Sequence, residues 1–134
     1  MCLTYICKMQ LLFSFIIPVY NRPDETQELL ESFKALNGTT DFEIVLIEDG
    51  STLSSKSVIE RFETDLNISY YQKPNSGPGD SRNYGMHKAK GNYFIILDSD
   101  CILPKDYLLE VEKALDLEYL DCFGGPDAAH HSFS

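Results

Sequence analysis

Four apolar runs rich in β-branched and aromatic residues recur along the chain, with segments of helical periodicity between and after them. The runs cover residues 11–19, 42–48, 68–72 and 92–98, and apolar residues repeat at helical spacing over 29–36, 58–62 and 108–115. Strands that are apolar on both faces and alternate with helices indicate a parallel sheet covered on both sides. The sequence therefore predicts an α/β domain in three layers.

Charge and length narrow the classes of partner. The chain has 134 residues and a formal net charge of -10, which fits one globular domain. Binding to a nucleic-acid backbone or to an anionic membrane needs clustered Lys and Arg. We therefore expect no nucleic-acid partner, and we expect that a bound phosphate comes with its own cation.

The cysteines and the first apolar run indicate the cellular compartment in which the protein is expected. Cys2, Cys7, Cys101 and Cys122 form no CxxC pair, so a zinc site is not indicated and reduced cytoplasmic thiols are expected. The run 11–19 contains a Pro, lacks a following cleavage site and is too short for a transmembrane segment, which favours a buried strand. Residues 1–8 precede a second Met, Met9, and we interpret residues 1–10 as an N-terminal extension.

Polar clusters follow each predicted strand. Right-handed crossovers place the carboxyl ends of parallel strands at one edge, where open α/β sheets bind ligands. The clusters at this edge are residues 20–22, 48–51, 73–77 and 98–100. Each cluster alone is compatible with an ordinary turn. Their succession at one edge predicts a ligand site.

Asp98 and Asp100 are the most informative of these residues. Two carboxylates about 4 Å apart repel by roughly 4 kcal/mol at an effective dielectric constant near 20. A shared proton can offset that repulsion, and so can Mg²⁺ or Mn²⁺, which prefer oxygen ligands and accept phosphate oxygens and waters as further ligands. The alternative is that the two Asp residues form a turn and cap the helix that begins near Pro104.

Glu48 and Asp49 close the second predicted strand, and one of them should face the ligand edge whatever the pleat. An ionised carboxylate accepts hydrogen bonds only, so it suits a uracil imide N–H or a ribose hydroxyl. Tyr20 can stack on a nucleobase, although a core position is equally compatible with a lone aromatic. The alternative for 48–51 is a turn in which Ser51 or Ser54 caps the next helix.

The segment 75–83 places a flexible turn at a helix start, with Arg82 one turn into the helix. Gly77 and Gly79 match only the opening of a dinucleotide fingerprint, and the P-loop GK[ST] is absent. Arg82 can contact a diphosphate or orient the acidic cluster, and a surface ion pair is the alternative.

Four motifs follow one another along the chain: Pro18-Val19-Tyr20-Asn21, Glu48-Asp49-Gly50-Ser51-Thr52, Asn75-x-Gly77-x-x-x-Ser81-Arg82-Asn83, and Asp98-x-Asp100 followed by Pro104. Together and in this order they resemble the donor half of a family 2 glycosyltransferase of the GT-A fold. The resemblance covers about residues 12–117 and implies a donor-binding domain over 11–119. It implies sugar transfer from a nucleotide diphosphate, most commonly UDP, with inversion.

The resemblance also implies roles for single residues. Tyr20 and Asp49 would hold the base, Asp98 the ribose or sugar, and Asp100 a Mn²⁺ or Mg²⁺ ion on the diphosphate. Arg82 would lie beside the donor. The remaining expected donor-binding residues are Pro18, Val19, Asn21, Glu48, Asn75 and Gly77, where Glu48 replaces the Asp that is common in the family.

The family continues with an acceptor half, so we expect residues 120–134 to open a truncated acceptor region. Asp127 is the late candidate for the general base that inversion requires. The resemblance implies a saccharide or lipid-linked acceptor in polysaccharide or glycoconjugate synthesis, met in the cytoplasm or at the inner membrane face.

Two other functions compete with a working transferase. A nucleotide-sugar-binding fragment without turnover fits the missing acceptor half. A haloacid dehalogenase-like phosphatase would use Asp98 as nucleophile, but Cys101 and Ile102 follow where a Thr or Val is expected.

Overall fold

The computed structural model describes residues 12–117, in which strands and helices alternate. The elements are β1 (Leu12–Val19), α1 (Pro23–Lys34), β2 (Asp41–Asp49), α2 (Lys56–Phe62), β3 (Ile68–Lys73), α3 (Pro78–Lys88), β4 (Tyr93–Ile96) and α4 (Tyr107–Leu117). Each predicted apolar run forms a strand. The predicted extension 1–10, the predicted acceptor start 120–134 and the candidate base Asp127 lie outside the described residues.

The strands form one parallel sheet in the order β3-β2-β1-β4. The chain moves outward from β1 to β3, crosses back over the sheet through α3, and adds β4 on the other side of β1. The order of the strands therefore reverses between β1 and β4. A crevice opens at such a switch point, outside the carboxyl ends of the strands.

The helices cover both faces of the sheet, which confirms the predicted three-layer α/β architecture. Phe13, Phe15 and Ile17 of β1 are fully buried in the larger core, together with apolar residues of α1, α2 and α4. Ile16 points to the opposite face, where Val45 and Ile47 pack in a smaller core. Alternate side chains of β1 thus serve two cores, as its continuous apolar run predicts.

Helix α3 lies on the smaller core through small residues. Its buried residues are Ser81 and Gly85. A Cβ atom at Gly85 would lie 2.6 Å from Ile16 Cγ2 and 2.6 Å from Ile47 Cδ1. The absence of a side chain at this position therefore sets how closely α3 approaches β1 and β2.

We predict that Gly85→Ala lowers the free energy of unfolding by about 1–3 kcal/mol, because the added methyl group overpacks the smaller core. The matched control is Gly79→Ala in the same helix, where an added Cβ meets nothing within 4 Å. The control should leave stability unchanged or raise it by up to about 1 kcal/mol through helix propensity. Urea unfolding of both variants measures the difference, and equal losses would contradict the close approach.

Candidate functional site

A pocket of about 580 Å³ lies at the switch point of the sheet. This volume falls within the range of small-molecule sites, roughly 300–1,000 Å³. The end of β2 and the loops after β1, β3 and β4 all contribute to the wall. The lining residues are Pro18, Val19, Tyr20, Arg22, Glu25, Asp49, Asn75, Gly77, Pro78, Asp98, Ser99 and Asp100.

The pocket brings together most of the predicted donor-binding residues. Those that line it are Pro18, Val19, Tyr20, Asp49, Asn75, Gly77, Asp98 and Asp100. Three predicted residues are not in the lining: Asn21, Glu48 and Arg82. The lining also includes Arg22 and Glu25, which were not predicted as donor-binding residues. Arg22 is the last residue of the first polar cluster and Glu25 lies in the first turn of the helix that follows, and this position is the signal that could have found them.

Asp49 is buried in the pocket wall, and its carboxylate holds the β3–α3 loop. Oδ1 accepts hydrogen bonds from Lys73 Nζ at 2.7 Å and from the Ser76 backbone N–H at 2.9 Å. Oδ2 accepts the Gly77 backbone N–H at 3.0 Å and Asn75 Nδ2 at 3.4 Å. The contact with Asn75 is the longest of the four, so the carboxylate gives up that interaction at least cost.

The charge of Asp49 is stabilised although the residue is buried. Burial by itself raises the pKa of this carboxyl, but the hydrogen bond from Lys73 and those from the Ser76 and Gly77 backbone outweigh it and lower the pKa below its usual value. The Lys73 and Asp49 side chains are 10% and 5% exposed, so solvent screens this ion pair little. Asp49 is therefore an ionised hydrogen-bond acceptor at neutral pH.

Gly50 allows the β2–α2 and β3–α3 loops to meet beside Asp49. Its φ angle is +70°, in the left-handed region that side chains disfavour. A Cβ at this position would lie 2.5 Å from the backbone nitrogen of Asn75. The glycine of the Glu48-Asp49-Gly50-Ser51 motif thus leaves room for Asn75 at the end of β2, where Asn75 Nδ2 donates to the Asp49 backbone carbonyl at 2.9 Å.

Glu48 points away from the pocket, because consecutive side chains of β2 face opposite sides of the sheet. Its carboxylate is buried and accepts hydrogen bonds from Ser51 Oγ, from the Ser55 backbone N–H at 2.9 Å and from Tyr70 Oη at 2.7 Å. Burial and the adjacent carboxylate raise the pKa of Tyr70, which keeps its hydroxyl protonated as a donor. Glu48 therefore holds the β2–α2 loop.

Asn21 also binds the β2–α2 loop instead of lining the pocket. Its side-chain Oδ1 accepts the backbone N–H groups of Thr52 at 2.9 Å and Leu53 at 2.8 Å. Its own N–H donates to Ser51 Oγ at 2.8 Å. Its φ angle of 54° lies in the left-handed region, which Asn tolerates better than most residues.

Asp98 and Asp100 reach the pocket in a tight turn after β4. The Leu97 N–H continues the pairing with β1 through Ile16 O, and the Cys101 N–H then closes the turn onto Asp98 O at 3.2 Å. Arg82 Nη2 lies 3.5 Å from Asp98 Oδ1, and the Asp98 side chain is 58% exposed. Arg82 is thus beside the carboxylate pair, although it is not in the lining.

The turn at Asp98 and Asp100 supplies only some of the ligands that a metal ion needs. Within residues 12–117, no group of three or more His, Cys, Asp or Glu side chains is arranged to hold a metal ion. Two carboxylates on one turn fit Mn²⁺ or Mg²⁺ when phosphate oxygens and waters supply the other ligands. The residues therefore suit a cation that arrives with a phosphate ligand.

Over the described part of the chain, every helix is too short or too polar to cross a bilayer.

The chain matches one family model and several known glycosyltransferases. The model of glycosyl transferase family 2 matches residues 14–129. An uncharacterised glycosyltransferase of Rickettsia bellii is 44% identical over 109 residues, covering 81% of this chain and 15% of that protein. The poly(ribitol-phosphate) β-N-acetylglucosaminyltransferase TarS of Staphylococcus aureus is 31% identical over 112 residues, covering 81% of this chain and 20% of TarS.

The solved structures that resemble this chain are also glycosyltransferases. The crystal structure of S. aureus TarS 1–349 in complex with UDP-GlcNAc has a TM-score of 0.76 and 32% identity, covering 81% of this chain and 32% of that one. A mannosyltransferase of Pyrobaculum calidifontis, in complex with GDP-Man and Mn²⁺, shares the fold with a TM-score of 0.64 and 22% identity.

The chain thus spans about a third or less of the length of these proteins. The fold matches the GT-A glycosyltransferases as the sequence predicted. The family model covers most of the chain, and the predicted motifs at the ends of β1, β2 and β4 all contribute to one pocket. This chain belongs to glycosyl transferase family 2.

Proposed function

We propose that this domain binds a UDP-sugar and transfers the sugar, with inversion, to a saccharide or lipid-linked acceptor. One observation carries the proposal: a single pocket combines an ionised acceptor, Asp49, an exposed aromatic ring, Tyr20, and the carboxylates of Asp98 and Asp100. TarS, at about 30% identity, has been solved with UDP and with UDP-GlcNAc, which supports a uridine donor.

The base-binding part of the pocket lies between the ends of β1 and β2. Tyr20 is 51% exposed and lines the pocket, so its ring is accessible for stacking on a nucleobase. Asp49 can exchange its long contact with Asn75 for the imide N–H of uracil. Pro18 and Val19 supply apolar wall on the β1 side.

Asp98 and Asp100 would hold the diphosphate through Mn²⁺ or Mg²⁺. The cation, when bound, neutralises the charge that develops on the departing diphosphate. Arg82 lies beside Asp98 and adds positive charge on the same side. These residues orient the leaving group, and the chain contributes no covalent chemistry at this point.

Inversion also requires a base that deprotonates the acceptor hydroxyl on the face opposite the leaving group. Asp127 stays the candidate for that role.

Membership of family 2 removes the phosphatase alternative for Asp98. Donor binding without transfer stays the second candidate function, favoured by the observation that the pocket residues assigned above all serve the donor. Release of UDP from UDP-GlcNAc in the presence of candidate acceptors separates the two.

We predict that UDP binding requires both a divalent cation and Asp100. Calorimetric titration with UDP and Mn²⁺ should give an affinity that falls at least about tenfold when Mn²⁺ is omitted or Asp100 is changed to Asn, the effect of losing roughly 1.4 kcal/mol. Glu60→Gln removes an exposed carboxylate on α2, outside the pocket lining, and is the charge-matched control. Failure of the unaltered protein to bind UDP would contradict the proposed donor.

The role of Asp49 is tested with a modified base. UDP that carries a methyl group on uracil N3 cannot donate the imide hydrogen bond, so we predict that it binds the unaltered protein about tenfold or more weakly than UDP. Asp49→Asn should weaken UDP binding and abolish most of this discrimination. Equal affinity of the unaltered protein for UDP and the methylated analogue would show that Asp49 does not read the base.

A further inference from the structure

We infer that Glu48 is a positioning residue for donor binding, acting through Ser51 and Asn21 on the aromatic wall of the pocket. We call these three residues the Glu48 relay. The inference rests on the proposed function, because the wall it sets is the proposed nucleobase site. No member of the relay lines the pocket, so it influences a ligand only through other residues.

The relay begins at a fixed acceptor. Glu48 is 3% exposed, and three donors surround its carboxylate: the Ser51 hydroxyl, the Ser55 backbone N–H and the Tyr70 hydroxyl. Tyr70 lies on β3 and Ser55 directly precedes α2. The carboxylate is therefore anchored from two elements, and its position is set by the sheet.

Ser51 links Glu48 to the loop after β1 through two hydrogen bonds of its hydroxyl group. A serine hydroxyl has one hydrogen to donate and two lone pairs to accept with. The hydrogen goes to Glu48 Oε2, so a lone pair is directed at the Asn21 backbone N–H, 2.8 Å away. The charged acceptor at Glu48 thus orients the hydroxyl that holds Asn21.

The hydrogen bond from Asn21 to Ser51 helps to fix the backbone conformation of Asn21. Its left-handed φ of 54° is held from two sides, by Ser51 at the backbone N–H and by the N–H groups of Thr52 and Leu53 at the side chain. Its neighbours in the chain, Tyr20 and Arg22, both line the pocket. A change of φ at Asn21 therefore moves the pocket wall on both sides.

The first test compares two serines of the same loop. Ser51→Ala removes the link between Glu48 and Asn21. Ser54→Ala is the matched control, because Ser54 Oγ accepts the Lys56 N–H and lies 3.4 Å from Tyr70 Oη but forms no hydrogen bond with Asn21. We expect Ser51→Ala to weaken binding of UDP with Mn²⁺ about three- to tenfold, the equivalent of one hydrogen bond. Ser51→Thr, which keeps the hydroxyl, should restore affinity, and Ser54→Ala should change it less than twofold.

A second variant acts at the start of the relay. Glu48→Gln keeps the size of the side chain but removes one of its two oxygen acceptors. In one orientation of the amide its N–H₂ group faces the Ser55 N–H donor, and in the other it replaces the oxygen that accepts and orients the Ser51 hydrogen. It should weaken UDP binding in the same direction as Ser51→Ala. Combining Ser51→Ala with Tyr20→Ala should give less than the sum of the two single losses, since both act on one wall. Fully additive losses, or equal losses for Ser51→Ala and Ser54→Ala, would overturn the relay.

A spectroscopic readout separates the relay from the proposed function. The chain contains no Trp, so Tyr20→Trp introduces a single indole reporter at the pocket wall. In the absence of nucleotide, adding Ser51→Ala should shift the Trp emission, and adding Ser54→Ala should not. If the unaltered protein fails to bind UDP while the emission shifts, the proposed donor is overturned and control of residue 20 by the relay stands. An unchanged emission overturns the relay whatever the affinity for UDP.

Discussion

Two adjacent buried carboxylates at the end of β2 hold the loops that form the pocket. Side chains alternate along a strand, so Glu48 and Asp49 face opposite sides of the sheet and do not compete for partners. Glu48 holds the β2–α2 loop, and through it the loop after β1. Asp49 holds the β3–α3 loop. The wall of the pocket therefore depends on one strand end, where each charge is fully engaged by neighbouring donors.

The charges around the pocket are balanced locally, although the chain is strongly acidic. Asp49 pairs with Lys73, Glu25 with Arg22, and Asp98 with Arg82, at 2.7, 3.4 and 3.5 Å. The net charge of -10 describes the chain as a whole and says little about this surface. A diphosphate that approaches the pocket meets acids whose charge is already partly compensated. The pocket can therefore accept an anionic ligand despite the negative net charge of the chain, because most of its acidic side chains are paired with Lys or Arg.

The sequence predicted the strands, their parallel arrangement and the carboxyl edge, since long apolar runs and polar clusters report burial and chain reversal directly. The strand pattern alone did not predict which of Glu48 and Asp49 faces the pocket, because a shift of one residue in the pleat exchanges them, and only the family resemblance implied Asp49. The sequence did not pair Lys73 with Asp49 either. That contact depends on the register of β2 against β3, in which the two residues are directly opposite, and register is a property of the assembled sheet.

The position of β1 in the centre of the sheet has a consequence for synthesis of the chain. Phe13 pairs with Phe42 on one side and with Tyr93 on the other. A ribosome that adds roughly 5–20 residues per second needs roughly 2 to 9 s to proceed from the end of β2 to the start of β4. During that interval one edge of β1 has no partner strand from its own sheet and is open to pairing with other chains. Asp98 and Asp100 emerge later still, so a nucleotide can stabilise this domain only after all four described strands have been synthesised.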